Sequence, residues 1–282
     1  MATYIGAVSV SLHQNGVEVF TFDEPNFKIK ELDGFRRQNF DVRSQEFGII
    51  DGGSIIGSRV KTIERTVTVH FLGGVSAKDD VARELQNSLS LTSEVTLVLH
   101  YFGDEYKCSG RFSRFEMSEG NLYEPLEIKF SIMCGDPYLT VGTNELSWAS
   151  TSNTVENTSK VAALPGYMIV SATAGTQASG NVKLIEVDRS GNDGRVVNVG
   201  IPGGSNIRGM AFMWTYNPFL QRAVEVPTGL VFAGGAQIPF NVLKLTADWQ
   251  TVRIGEGGLK VVVDMGNYEK TTLSYPVKVK WV

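Results

Sequence analysis

Gly73 and Gly74 lie between a strand-like and a helix-like segment, the position of the glycine loop in many phosphate-binding sites. A P-loop reads Gly-x-x-x-x-Gly-Lys-Ser/Thr, because the lysine must reach the phosphates and the hydroxyl must reach magnesium. After Gly74 the chain continues Val-Ser-Ala-Lys, without a second glycine at that distance. The preceding segment also alternates apolar and polar residues, whereas strands of parallel sheets are apolar on both faces. The spacing therefore predicts a structural turn.

A second glycine-rich segment, DGGSIIGSR, places Gly52 and Gly57 at the spacing of a P-loop. Ser58 and Arg59 stand where lysine and serine or threonine are required, so this site would lack the charge partner of the phosphate. We interpret the segment as a flexible loop.

The segment DRSGNDGR, from Asp188 to Arg195, resembles the start of a calcium-binding loop. Its sixth position is Asp193 in place of glycine, and its twelfth is Val199 in place of the bidentate glutamate. A hairpin turn between the flanking strand patterns is the better prediction.

Histidine and cysteine are scarce: the chain has His13, His70, His100, Cys108 and Cys134. No pair has the spacing of a zinc site, and no Gly-x-Ser-x-Gly nucleophile motif occurs. The thirty acidic residues single out no carboxylate pair for a hydrolase. We therefore predict no catalytic residues, no metal, no cofactor and no enzymatic activity. His70 and His100 are interpreted as satisfied sheet residues, and Cys134 as a buried free thiol.

Trp249 is the aromatic residue whose neighbours favour binding. In DWQTVRI, period-two alternation groups it with Thr251 and Arg253, opposite Val252 and Ile254. If that face meets solvent, Trp249 and Arg253 form a candidate contact for a sugar ring or a protein partner. Packing of Trp249 under a loop or against another domain is an equally compatible interpretation.

Composition places the chain among globular proteins. It has 282 residues, 42% hydrophobic and 20% charged, with a net charge of −4. At roughly 150 residues per domain this length predicts two domains. The acidic balance gives no general attraction to nucleic acid, and no apolar run is long enough for a bilayer, so we expect neither specific nucleic-acid binding nor membrane insertion. The N-terminal sequence has no secretory pattern, and two cysteines make no disulfide framework.

The dominant periodicity is that of β-strands. In LEIKFSIMC, alternate residues from Leu126 to Cys134 are apolar, and the residues between them are mostly polar. One helix is predicted over Ser76–Leu91, with Ser76 and Asp79 as a capping box and an apolar stripe through Leu85. We therefore predict a mainly β protein of two sandwich-like domains, the first with one packed helix and the second all-β.

A segment rich in serine, threonine and asparagine, residues 143–160, interrupts these patterns. We expect it to be a linker between a first domain at 1–142 and a peripheral domain at 161–282.

The order of motifs in the first half resembles the distal tail protein family of long-tailed (siphovirus-type) phages. The shared features are an Asp-Gly loop, a strand that opens with arginine, a single helix, and an Ile-x-Phe strand that ends at Asp-Pro-Tyr. In this chain they are Asp51-Gly52, Arg65, the 76–91 helix, and Ile128 and Phe130 leading to Asp136-Pro137-Tyr138.

This resemblance implies a structural protein of the virion tail tip, or baseplate, assembled in the host cytoplasm. Family members form a homo-hexameric ring that connects the tail tube protein to the tail-tip (tail-associated) protein and the receptor-binding protein. Their second domain is often galectin-like or similar to a carbohydrate module. Here no histidine follows His100, and no glutamate stands between Trp249 and Arg253, so the galectin sugar signature is missing. The alternative prediction is a carbohydrate-binding β-sandwich module without catalysis.

Overall fold

The fold is taken from a computed structural model that describes residues 5, 8–38, 40–46, 53–118, 124–159, 161–172, 180–201, 209–213, 222–225, 249, 252–266 and 268–280. The chain divides into two compact units. Unit 1 comprises Met1–Val141 and Val279–Val282, and unit 2 comprises Gly142–Lys278.

The described residues of unit 1 form antiparallel strands and one helix. Its elements are β1 (Val8–Gln14), β2 (Val17–Phe22), β3 (Phe27–Asp33), β4 (Phe40–Glu46), β5 (Gly53–Val60), β6 (Ile63–Phe71), α1 (Val75–Ser88), β7 (Glu94–Tyr101), β8 (Asp104–Met117), β9 (Leu126–Cys134) and the start of β10 (Leu139–Trp148).

Seven of these strands pair in the order β2-β1-β7-β8-β9-β6-β3. The long strand β8 pairs with β7 along its first part and with β9 along its second, and the two pairings overlap at Gly110 and Arg111. The Phe22 ring of β2 stacks on the Phe130 ring of β9 at 5.6 Å between centroids, although four pairing steps separate the two strands. The sheet therefore turns at β8 and packs against itself as a sandwich. Strands β4 and β5 form a separate antiparallel pair.

The alternation predicted for β9 is confirmed. Every second side chain of this strand is buried, and a buried aliphatic or aromatic side chain contributes about 1.5–3 kcal/mol. The inward residues are Leu126, Ile128, Phe130, Ile132 and Cys134.

Helix α1 is present, but its ends differ from the prediction. It spans Val75–Ser88 with Gly74 as its N-cap, so the predicted capping box of Ser76 and Asp79 is wrong. Gly74 has the extended conformation of an N-cap, φ −64° and ψ 165°, and its carbonyl accepts the first hydrogen bond from Ala77 at 3.0 Å. The predicted apolar stripe does face the core, where Leu85 is fully buried.

Unit 2 is a second sandwich of antiparallel strands, and no α-helix occurs in its described residues. Its elements after β10 are β11 (Ser152–Val155), β12 (Tyr167–Ala172), β13 (Gly180–Val187), β14 (Asp193–Ile201), β15 (Gly209–Met213), β16 (Arg222–Glu225), β17 (Gly258–Asp264) and β18 (Tyr268–Val279).

The strands of unit 2 form two pairing runs, β11-β17-β13-β14 and β16-β15-β12-β18. Both runs contribute to one buried cluster, which includes Val182, Leu184 and Val261 from the first run and Met168 and Phe212 from the second. This shared core confirms a mainly β fold with sandwich-like domains.

The segment expected to be a linker carries regular structure. Residues 143–160 include the second part of β10 and the whole of β11, which pairs antiparallel with β17 through Ser152↔Val262 to Val155↔Leu259. Serine, threonine and asparagine are tolerated in these strands because many of the side chains are exposed, which removes the apolar alternation that a strand prediction requires.

Candidate functional site

The glycine pair after β6 forms a turn, as predicted. Strand β6 pairs antiparallel with β3 on one side and with β9 on the other, which differs from the parallel surroundings of a P-loop strand. A Cβ atom at Gly73 would lie 2.2 Å from the Phe71 ring, so packing alone accounts for glycine at this position.

The other two glycine-rich segments also form secondary structure. Residues 53–59 of DGGSIIGSR belong to β5, so the prediction of a flexible loop is wrong there, and Asp51 and Gly52 lie outside the described residues. The segment that begins at Asp188 is the β13–β14 hairpin turn, as predicted. Oδ1 of Asp188 accepts hydrogen bonds from the backbone N–H groups of Ser190 and Asn192, both at 2.8 Å. The hydrogen bonds from Asn192 make the largest contribution to lowering the pKa of Asp188.

Arg65 connects two of the motifs that carry the family resemblance. It is 1% exposed, and its Nη2 atom donates a hydrogen bond to the carbonyl of Pro137 at 2.9 Å. Its guanidinium carbon also lies 5.8 Å from the centroid of the Phe35 ring. The backbone N–H of Tyr138 donates to Oδ1 of Asp136 at 3.0 Å, which shapes the Asp-Pro-Tyr turn. The strand arginine and the turn after β9 therefore form one buried structural site.

Two thiols lie in the same core. Cys108 on β8 is 5% exposed, and Cys134 on β9 is fully buried, as predicted for a free thiol. A hydrogen bond with Cys108 lowers the pKa of Cys134 to about 7, and Arg65 acts in the same direction. Two effects raise the pKa of Cys108: the same thiol–thiol hydrogen bond makes the largest contribution, and burial makes the next largest. Their burial separates both sulfur atoms from solvent, which makes the pair a structural feature of the sandwich.

The histidine of β6 belongs to a cross-strand polar cluster. Nε2 of His70 lies 2.9 Å from Oε2 of Glu127, and Nζ of Lys30 donates to the same oxygen at 2.5 Å. These hydrogen bonds, with that of Lys30 the larger, lower the pKa of Glu127. His70 is 8% exposed, so the prediction of a satisfied sheet histidine is confirmed. The described residues contain no group of three or more histidine, cysteine or acidic side chains that could hold a metal ion.

Trp249 lies in the core of unit 2, so the interpretation in which it faces solvent is wrong. It is 3% exposed, and its ring packs edge-on against Phe212 at 5.4 Å between centroids. Its carbonyl accepts a hydrogen bond from the backbone N–H of Val252 at 3.1 Å, which is the i to i+3 spacing of a helical turn. Arg253 is exposed, and its backbone N–H donates to Oε1 of Glu186 at 2.8 Å. The structure therefore does not bring Trp249 and Arg253 together on one open face.

Comparison with known proteins gives a match at the level of structure. No protein-family model and no curated protein matches the chain. The Dit protein (gp 19.1) of SPP1, described as a paradigm of the hub adsorption apparatus in phages that infect Gram-positive bacteria, superposes with a TM-score of 0.57 at 14% sequence identity. That match covers 95% of this chain and 98% of the SPP1 protein. This chain has the distal tail protein fold.

A second solved structure has the same fold. A chain of the phage P2 baseplate, solved in its activated conformation with Ca, matches with a TM-score of 0.50 at 10% identity and covers 98% of this chain. At these identities the agreement concerns the fold. It extends the distal tail protein fold to the second half of the chain, for which the sequence offers no family motif. Within the described residues, no helix has the length and apolar character needed to cross a bilayer.

Proposed function

We propose that this protein is a structural component of a phage tail tip and forms a hexameric ring there. The ring connects the tail tube protein to the tail-tip protein and to the receptor-binding protein. It is assembled in the host cytoplasm and retained in the virion. In this role the protein positions other proteins and catalyses no reaction.

One observation carries the proposal. The fold agrees with the SPP1 Dit protein over 95% of this chain and 98% of that protein, so both units are accounted for by one relative. A fold alone does not specify a function, because one fold can carry many sites. Further support comes from four groups that could carry chemistry. Arg65, both thiols and His70 are buried in the sandwich, where Nη2 of Arg65 bonds to the Pro137 carbonyl and His70 bonds to Glu127.

The assembly state tests the ring. A head-to-tail interface must close into a ring or grow into a fibre, so a ring former gives one discrete oligomer. We expect sedimentation velocity to give a species of six times 30.8 kDa, and negative-stain images to show closed rings with sixfold symmetry. A monomer that persists at every concentration tested would contradict the ring, and open filaments would contradict its closure.

The place in the virion is tested separately. Antibodies against the purified protein, coupled to gold, are expected to label the distal end of the tails of phage particles that contain this chain. Labelling of heads, or of the full tail length, would contradict the tail-tip location.

The carbohydrate-binding alternative has less support than the sequence suggested. A sugar platform needs an open aromatic face, and Trp249 is 3% exposed. Arg253 is exposed, so a glycan array with the intact protein and with Arg253→Ala remains a direct test of that hypothesis.

A further inference from the structure

A groove of about 700 Å³ lies in unit 1 between strand β2 and helix α1. Four consecutive residues of β2, Glu18 to Thr21, line it. Successive side chains of a strand point to opposite faces, so consecutive residues line one groove only when the strand turns its hydrogen-bonding edge toward it. The groove is therefore an opening beside a strand edge.

That edge is available for pairing. Strand β2 is the last strand of its sheet, and β1 is its one strand partner among the described residues. An unpaired edge presents backbone N–H and carbonyl groups in the pattern that an additional strand satisfies. Addition of a strand to such an edge is a common way to bind an extended peptide.

The floor of the groove is aromatic. The rings of Phe20, Phe27 and Phe71 are 9%, 8% and 4% exposed, and they contact one another with centroid distances of 5.7 Å for Phe20–Phe27 and 5.1 Å for Phe27–Phe71. At this exposure only a small part of each residue reaches the groove, so apolar side chains of an incoming strand would meet the edge of a packed layer and not an open aromatic face.

The rim of the groove is acidic. Glu18, Asp80 and Glu84 line it, and no described lining residue is lysine, arginine or histidine. The side chains of Glu18 and Asp80 are 58% and 76% exposed. Glu18 lies 3.8 Å from Nε2 of His13, and Asp80 lies 3.6 Å from Nη1 of Arg83. Exposed pairs of this kind are worth at most about 1 kcal/mol each and can be exchanged for another cation.

We propose that this groove binds an extended segment of a partner protein, in which basic and apolar side chains alternate, by adding it as a strand to the free edge of β2. The apolar residues pack on the three phenylalanine rings, and the basic residues face the carboxylates of the rim. Every residue that lines this groove lies within unit 1.

The probe is a capped peptide of alternating lysine and valine, about eight residues long at roughly 3.3 Å per residue. Two control peptides separate the contributions. One replaces lysine with glutamate, and the other replaces valine with proline, which keeps the charge but removes the backbone N–H donors at every second position. We expect the lysine–valine peptide to bind and both controls to fail in calorimetry with the full-length protein. The bound peptide should also slow amide exchange across Val17–Phe22.

Variants of the protein locate the site. Glu84→Lys should weaken binding about fivefold or more, because it replaces an attractive exposed pair with a repulsive one. Glu256→Lys, an exposed carboxylate in unit 2, makes the same change in net charge and should leave binding within error. Ala77→Trp fills the groove without a change of charge and should abolish binding, with the fold verified by circular dichroism.

Three results would overturn the proposal. The first is a pattern of peptide binding other than the expected one. Either the lysine–valine peptide does not bind, or the proline control binds equally well, and in the second case the groove would be only an electrostatic patch. The second is an equal effect of Glu84→Lys and Glu256→Lys. The third is a loss of self-association in Ala77→Trp without peptide binding to the parent protein, which would identify the occupant as a second copy of this chain.

Discussion

The stacked pair of Phe22 and Phe130 provides a test of the sandwich in unit 1. Both side chains are fully buried, and their rings lie 5.6 Å apart with an interplanar angle of 25°. Each substitution to leucine keeps an apolar side chain of similar size, so each should cost about 1–1.5 kcal/mol. Loss of the pair itself should appear as a coupling of about 0.5–1.5 kcal/mol in the double-mutant cycle.

The two cysteines make the measurement specific to unit 1. Cys108 and Cys134 are the only cysteines of the chain, both lie in the unit 1 core, and they are 5% and 0% exposed. Their reaction with a thiol reagent as a function of urea therefore reports unfolding of this unit. Three of the four tryptophans fall within Gly142–Lys278, so fluorescence recorded in parallel reports mainly on unit 2.

The control pair is Phe71 with Phe130. Phe71 contacts Phe27, at 5.1 Å between ring centroids, and occupies the same buried cluster. Phe71 pairs with Leu126, which lies four positions from Phe130 along β9, or about 13 Å at roughly 3.3 Å per residue. Substitutions more than about 7–10 Å apart that share no partner add within about 0.3–0.5 kcal/mol. If Phe22→Leu and Phe130→Leu add within that margin, the two parts of the sheet do not meet through these rings.

Three further substitutions test other parts of the structure. Gly34→Ala should cost about 2–5 kcal/mol by the thiol assay, since Gly34 has φ +81° and a Cβ there would lie 2.2 Å from a backbone oxygen at the start of β6; a neutral effect would disprove the close approach. Glu127→Gln should lower the free energy of unfolding by about 0.5–1 kcal/mol at neutral pH in the same assay. Because the folded pKa of Glu127 is lowered, its contribution to the free energy of unfolding is complete above the unfolded pKa of about 4.3 and is lost as the pH falls through the folded pKa. A difference in unfolding free energy between variant and parent that persists in acid would contradict this assignment. Trp249→Ala should cost about 3–5 kcal/mol in unit 2, measured by circular dichroism in urea, and Arg253→Ala should change little; equal effects would argue against a buried Trp249.

Local periodicity was sufficient to predict the elements that build the cores. In β9 each inward position is apolar for five alternate residues, and no other conformation places all of them on one face. The stripe through Leu85 predicted the packed face of α1 for the same reason. The ends of that helix were less predictable, because Gly74 acts as the N-cap through its backbone conformation, without a side-chain hydrogen bond.

The contact between Arg65 and Pro137 could not be derived from periodicity. The two residues are 72 positions apart, and their meeting depends on the pairing of β6 with β9, which brings Arg65 opposite Ile132. Arginine is rarely buried, so residue type alone predicts a solvated side chain. The family resemblance pointed to both pieces of the sequence, and the structure supplies the reason: the guanidinium holds the Asp-Pro-Tyr turn against the strand.

Trp249 is buried because its segment does not have the period of a strand. Period-two alternation groups Trp249 with Arg253 only if the segment is a strand, whereas the hydrogen bond from Val252 to Trp249 closes a turn with a spacing of three. At that spacing Trp249 and Val252 share one side, and both are buried, at 3% and 0% exposure. With a period of two, Trp249 would lie on the same face as exposed Arg253, whereas with a period of three it lies in the core with Val252. An aromatic residue in a short segment is therefore weak evidence for a glycan site until the backbone period is known.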